Sequence, residues 1–166
     1  MITILFVISH LAPQGPNKQL FYLCKGLNKL SFTPIVVTTS KFNIQNSLFS
    51  EFKALDIQII NLELGKLSSL IVGTYQIQEI IDKNLVNAVF SYGFRSDFIC
   101  STLENVVKVT SVRNTLLINW RHTWGPVLGT ILGKINLFFI RKFDFVIACS
   151  QSVSNYLNTL NLKEKI

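Results

Sequence analysis

Residues 2–40, ITILFVISHLAPQGPNKQLFYLCKGLNKLSFTPIVVTTS, decide the fold. Ile2 to Ser9 is an apolar run of strand length, His10 to Pro16 holds Pro13, Gly15 and Pro16, and Pro34 to Thr39 is β-branched again. Short apolar runs bounded by such turn residues read as buried strands. Between them Leu20, Leu23, Cys24, Leu27 and Leu30 recur at helical spacing, while Lys18, Tyr22, Lys25 and Lys29 share the opposite face. The spacing predicts a βαβ unit that opens a doubly wound α/β domain, in which ligands bind where strand carboxyl ends meet helix amino ends. Gly15 is the only glycine of the turn, whereas a dinucleotide fingerprint requires three, so the turn argues against a nicotinamide or flavin cofactor.

Working outward, Asn46 to Ala54 reads as a short helical stretch and Ile57 to Leu62 as a third strand. Lys66 to Lys83 reads as a helix with Leu67, Leu70, Ile71, Ile77, Ile80 and Ile81 as candidate buried positions, weakened in its middle by Gly73. Further strands are expected at Ala88–Ser91, Val106–Val112 and Phe145–Cys149, with helices over Asp97–Leu103, within Leu116–Arg141 and over Ser152–Leu160. Alternation of this kind gives a Rossmann-like parallel sheet with right-handed crossovers. The length of 166 residues suits one domain, and the chain shows no internal repeat, low-complexity tract or linker.

Hydrophobic residues make up 49 % of the chain and charged residues only 15 %, so part of the apolar surface is expected to face a partner or a membrane. The formal charge of +7 points to an anionic partner. The basic residues are spread along the chain with no dense run, which speaks against nucleic acid. Cys24, Cys100 and Cys149 have no metal-ligand spacing and read as small core hydrophobes of a reducing compartment. There is no N-x-S/T sequon, in keeping with a cytosolic chain. Ile2 to Ile8 lacks a basic flank before it and a small-residue cleavage site after it, so it is the first strand rather than a signal peptide.

No segment has the roughly 20 apolar residues needed to span a bilayer. The nearest, Val127 to Ile140, is interrupted by Lys134 and Asn136 and reads as a helix. Its stripe of Leu128, Ile131, Leu132, Ile135, Phe138 and Phe139, flanked by Lys134, Arg141 and Lys142, has two readings: burial against the sheet, or a face lying on a membrane surface.

In a parallel sheet the functional residues follow the strand carboxyl ends. Here those positions are His10–Lys18, Ser40 with Lys41, Tyr92–Asp97, Arg113 with Asn114, and Ser150–Ser152. Lys18, Arg95 and Arg113 would gather near backbone amides at helix starts, an environment for a phosphate or carboxylate. Each has a structural alternative: Gly15–Pro16 as an ordinary turn, Ser150 or Ser152 as a helix cap, and Asp97 as a cap or an ion-pair partner of Arg95. Arg113 is the least easily explained structurally, because a buried strand seldom ends in arginine unless an anion receives it. His10 and His122 stand alone, so neither a metal site nor a nucleophilic triad is expected.

The opening stretch, VFSYGFRSDFICS (89–101), VTSVRN (109–114) and FDFVIACSQSVSNYL (143–157) together resemble the N-terminal domain of family 4 (group 1) glycosyltransferases, retaining enzymes of the GT-B fold. The resemblance covers nearly the whole chain in order. It implies that residues 1–166 form a single Rossmann-like acceptor-binding domain, one half of a GT-B two-domain glycosyltransferase whose donor-binding domain is absent from this chain. A nucleotide-sugar donor would be held mainly by that other half. Gly15, Pro16 and Lys18 would lie on the donor-diphosphate side of the cleft; Gly93, Arg95, Asp97, Arg113, Asn114 and Ser150 would face the acceptor. Tyr92 occupies the position where many members place a histidine near the reacting sugar, so a catalytic role would fall to Tyr92 without the histidine chemistry.

The family's donor half carries two glutamates separated by seven residues, and no acidic pair here has that spacing. The expectation is therefore a fragment, a truncated product or one subunit of a split enzyme, inactive alone. The implied function is sugar transfer to a lipid-linked or polysaccharide acceptor during polysaccharide biosynthesis, in the cytoplasm and peripherally at the inner face of an anionic membrane, without cofactor or metal. Two alternatives remain: a non-catalytic, membrane-recruiting subunit of a split glycosyltransferase, and an unrelated nucleotide-binding α/β protein.

Overall fold

A computed structural model describes residues 2–28, 30–65 and 68–162. The opening unit is β1 (Ile2–Ile8), α1 (Gly15–Asn28) and β2 (Phe32–Thr38), and the two strands pair in parallel from Ile2 opposite Phe32 to Ile8 opposite Thr38. There follow α2 (Phe49–Lys53), β3 (Gln58–Asn61), α3 (Ser68–Lys83), β4 (Ala88–Tyr92), α4 (Phe94–Cys100) and β5 (Val107–Val112). The chain then runs through α5 (Leu116–Trp124), α6 (Pro126–Ile140), β6 (Phe145–Ala148) and α7 (Gln151–Thr159). Among the described residues the six strands are all parallel, in the order β3-β2-β1-β4-β5-β6. This is the expected doubly wound, Rossmann-like sheet, and the direction of winding reverses between β1 and β4.

Alternation along the central strands divides the core into two layers. Leu5, Val7, Ile35 and Val37 point to one face, where they meet Ile77 and Ile81 of α3 and Ile99 of α4. Phe6, Ile8 and Val36 point to the other, against Leu20 and Cys24 of α1 and Phe52 of α2. A third cluster closes the β5–β6 end with Val112, Leu116, Leu137, Ile140, Val146, Val153 and Leu157.

Several boundaries and faces differ from the sequence expectation. On α1 the buried stripe is Asn17, Leu20, Cys24 and half-buried Phe21 and Leu27, while Leu23 is exposed, as is Leu30 beyond the end of the helix. Phe21 supplies the bulk that Leu23 was expected to give, meeting Phe52 edge-on at 5.4 Å between ring centroids. Helix α4 begins three residues before Asp97 because Gly93, at φ 99°, ends β4 abruptly and starts the helix at once. In the 116–141 region, Gly125 at φ 78° followed by Pro126 ends α5 and opens α6, making an antiparallel hairpin. Cys149 is exposed, unlike Cys24 and Cys100. Leu67 and the side chains of Leu70 and Ile71 lie outside the described residues.

The largest correction concerns α6. Leu128, Ile131, Ile135 and Phe138 are exposed, and the inward face is instead Gly129, Gly133, Asn136, Leu137 and Ile140. The reason is close packing on α5. A Cβ at Gly129 would meet the Trp120 carbonyl oxygen and lie 2.5 Å from Arg121 Cα, and one at Gly133 would lie 2.8 Å from Leu117 Cδ2. Two glycines a helical turn apart let the helix backbones touch, so Leu128, Ile131, Ile135 and Phe138 are turned outward, while Leu132 and Phe139 of the expected stripe stay half-buried.

Candidate functional site

The strand order places a crevice where the winding reverses, just beyond the carboxyl ends of β1 and β4. A cavity of about 320 Å³ opens there. Ile8, Ser9 and His10 form its wall from β1, Gln14, Pro16 and Asn17 from the start of α1, and Tyr92, Gly93 and Phe94 from the β4–α4 junction. Val112, Arg113 and Asn114 close it from β5, and Leu116, Asn119, Trp120, Asn136 and Ile140 from the α5–α6 hairpin.

The β1–α1 loop is shaped by Asn17, whose side-chain amide donates to the carbonyls of His10 at 2.9 Å and Ala12 at 2.6 Å. Asn17 is buried, so these bonds satisfy an amide that would otherwise be costly to bury. The loop is folded back on itself and brings His10 and Pro16 to the same wall.

Tyr92 ends β4 with its ring stacked on Phe90 at 5.0 Å and beneath the Arg113 guanidinium, whose Cζ lies 4.5 Å from the ring centroid. Burial pushes the Tyr92 hydroxyl up to about 12, with Arg113 pulling the other way. Tyr92 is thus a neutral phenol at physiological pH, able to donate a hydrogen bond. Arg113 is half-buried at the carboxyl end of β5 and is oriented by the aromatic face. A planar cation held over a phenol at a cavity wall can receive a phosphate or carboxylate.

Beneath them Asp97 closes the floor. One carboxyl oxygen accepts from Ser91 Oγ at 2.6 Å and Thr110 Oγ1 at 2.7 Å, and the other from Asn136 Nδ2 at 3.3 Å. Burial raises its pKa above the ordinary carboxylate value, against the lowering effect of these three bonds. Asn136 in turn accepts from Trp120 Nε1 at 3.3 Å, so β4, β5, α4, α6 and α5 meet in one polar chain. Asp97 lies within the first turn of α4, neither capping it nor pairing with Arg95, because the helix has already begun at Phe94. Arg95 turns away to Ser40, donating to its hydroxyl at 2.5 Å.

The structure therefore brings Pro16, Tyr92, Gly93, Asp97, Arg113 and Asn114 to one cavity. Lys18 is exposed on α1, Arg95 lies beside β2, and Ser150 caps α7 by accepting from Val153 N at 3.3 Å; none of the three lines the cavity, and neither does Gly15. The three cations expected to gather do not converge in that cavity. Asn17, Asn119, Trp120 and Asn136 are wall residues that the sequence reading did not single out. For Asn136 the signal was present, since a lone amide in an apolar helix needs a buried partner. Among the described residues, no group of three His, Cys, Asp or Glu side chains could hold a metal ion.

No family model matches the chain, and no curated protein matches it. Solved structures do. HepE of Anabaena, in complex with UDP and glucose, is similar over 96 % of this chain and 41 % of its own, with a TM-score of 0.68 at 13 % identity. A putative UDP-N-acetylglucosamine 2-epimerase of Listeria monocytogenes gives 98 % and 43 %, with a TM-score of 0.68 at 15 % identity. A glycosyltransferase of Rickettsia africae gives 99 % and 40 %, with a TM-score of 0.59 at 20 % identity. The chain spans about two fifths of the length of these structures. At such identities the likeness is one of architecture: the chain has the fold of one half of GT-B glycosyltransferase-like structures.

Proposed function

We propose that this chain is the acceptor-binding half of a retaining glycosyltransferase that moves a sugar from a nucleotide-sugar donor to a lipid-linked or polysaccharide acceptor. The observation that carries the reading is the cavity at the winding reversal, with Arg113 fixed over Tyr92 on one wall and the start of α1 on the other. Similar structures that bind UDP, or act on a UDP-sugar, support a nucleotide sugar as the second ligand. The family-level resemblance of the four sequence stretches supports the retaining, family 4 assignment.

In this reading Arg113 and Asn114 hold the acceptor's anionic or hydroxyl groups, and the neutral Tyr92 hydroxyl donates to the reacting sugar. Gly93 lets the backbone approach, while Asp97 sets the floor and positions β4 against β5. Pro16 and the neighbouring Gly15 and Lys18 form the side that would face a donor diphosphate across the cleft. Stabilisation of the leaving diphosphate by backbone dipoles and cations is the main demand of such a transfer, and most of it would come from the donor half. The site of action is the inner face of the membrane, where lipid-linked acceptors are presented.

The test is labelled-sugar transfer from UDP-sugars to lipid-linked and glycan acceptors. Turnover is expected when this chain is joined or mixed with a GT-B donor-binding half, and is expected to fall with Arg113→Ala. Tight binding of free UDP by this chain alone, with no transfer in the combined system, would refute the reading. The assay also registers 2-epimerisation of the UDP-sugar, the reaction named for one neighbour. A second reading, a non-catalytic subunit that recruits a donor-binding chain to the membrane, is favoured by the exposed apolar face of α6. Stoichiometric co-purification of a partner whose activity survives Arg113→Ala would select it.

A further inference from the structure

The α5–α6 hairpin shows two faces of opposite character. Its inner face supplies Trp120, Asn136 and Ile140 to the cavity. Its outer face exposes Val127 at 75 %, Ile131 at 51 % and Phe138 at 58 %, with Leu128 and Ile135 alongside. These five fall within an arc of about 100° on the helix, so they form one continuous stripe. From α5, Ile118 at 63 % and Trp124 at 55 % are also turned out to solvent. A helix buried against its own domain would not be apolar on the outside.

The charge around the stripe is one-sided. From residue 116 to residue 143, the hairpin and the turn after it, the chain carries four lysines and arginines and no aspartate or glutamate. Lys134 and Lys142 flank the stripe itself, and Lys142 Nζ sits 4.8 Å from the Phe138 ring centroid. Arg121 and His122 are exposed on α5. A second copy of this chain is a poor occupant, because a symmetric pairing of the two hairpins would set basic rim against basic rim. An anionic lipid surface offers apolar depth for the stripe and negative headgroups for the rim.

We propose that the outer face of the α5–α6 hairpin docks this chain on an anionic bilayer, with Val127, Ile131, Ile135 and Phe138 immersed and Lys134 and Lys142 on the headgroups. The glycine contacts at Gly129 and Gly133 hold α6 against α5, so the hairpin enters as a unit. Because the same two helices wall the cavity, docking sets the cavity beside the lipid surface. This deepens the membrane part of the function above and rests on it only for the identity of the lipid-borne acceptor.

The experiment is flotation of the full chain with phosphatidylcholine vesicles, with and without phosphatidylglycerol. Binding is expected to be at least about tenfold stronger with the anionic lipid at low salt, and to weaken as salt screens the rim. The double substitution Ile131→Ser with Phe138→Ser should lower it by about tenfold or more, since two exposed apolar contacts are lost. As an independent readout, Trp124 emission should shift to the blue on binding and be quenched by brominated lipid. No flotation, binding unchanged by the double substitution, or equal binding to uncharged vesicles would each overturn the proposal. So would self-association that the double substitution abolishes, because it would assign the face to a second copy. Vesicle binding needs no sugar donor, so its failure and a failure of sugar transfer are separate results.

Discussion

Replacing Asp97 tests the floor of the cavity with a magnitude that the geometry supplies. Asp97→Ala removes the acceptor for two buried hydroxyls, Ser91 Oγ and Thr110 Oγ1, and for the Asn136 amide. Each stranded buried group costs about 1–3 kcal/mol, and a hydroxyl that rotates to another acceptor costs less, so the loss should be about 3–5 kcal/mol. For a chain of this size that is a fall in melting temperature of roughly 6–20 °C. Asp97→Asn keeps one acceptor oxygen and should cost about 1 kcal/mol. The two variants also differ from wild type in pH dependence. In the unfolded chain Asp97 ionises near its ordinary value of about 4, whereas burial keeps it protonated to higher pH when folded. The folded state then binds more protons across that interval, so its contribution to stability is full below about pH 4 and is lost as pH rises toward the folded value. Asn at this position has no proton to lose. Melting curves of wild type and Asp97→Asn between acid and neutral pH should therefore converge, or cross in favour of Asn, as pH rises. A difference that stays flat, or that grows in favour of wild type, would refute the buried-carboxyl argument, and an Asp97→Ala variant that melts like wild type would refute the network.

Arg113→Ala should lower the melting temperature by no more than about 2–4 °C, because a half-buried cation over a ring contributes about 0.5–1 kcal/mol. In a complete transferase the same change should reduce acceptor affinity or turnover by about 10–100-fold, the 1.5–3 kcal/mol of a charge-assisted hydrogen bond; unchanged turnover, or a large loss of stability, would reassign Arg113 to structure. Tyr92→Phe keeps the stack on Phe90 and should melt within a few degrees of wild type, so a fall in transfer would isolate the hydroxyl. Gly129→Ala should destabilise by about 2 kcal/mol or more because its Cβ meets backbone rather than a movable side chain, whereas Leu128→Ala, on the exposed stripe, should be nearly silent in calorimetry.

The sheet was legible because its strands are apolar on both faces and separated by turn residues, and the winding follows from their alternation with helices. Residues adjoining strand ends, such as Tyr92, Gly93 and Arg113, were legible for the same reason: their place in the chain nearly determines their place in the crevice. The hairpin was not. A period of 3.6 shows that α6 has an apolar stripe, but it cannot show that Gly129 and Gly133 turn that stripe outward, since this depends on what α5 presents. The cap and ion-pair readings of Asp97 fail because Gly93 starts its helix three residues earlier, which takes the carboxyl from the helix entrance into the space under β4 and β5. Lys18 and Arg95 follow strand ends in sequence yet leave the crevice, one along an exposed helix face and the other to Ser40.

The two buried cysteines lie on opposite sides of the sheet, Cys24 on the inner face of α1 and Cys100 at the end of α4, in the layer that α3 also covers. Burial pushes the Cys24 thiol up to about 12 and the Cys100 thiol well above its ordinary value. Thiolate is the reactive form, so an alkylating reagent must wait for the covering layer to open, while the exposed Cys149 is modified without that delay. A mass-resolved alkylation time course can thus record the opening of each layer separately within one unmodified chain. If a donor half or a vesicle slows modification at Cys100 but leaves Cys24 unchanged, the protection belongs to the helices on that side alone.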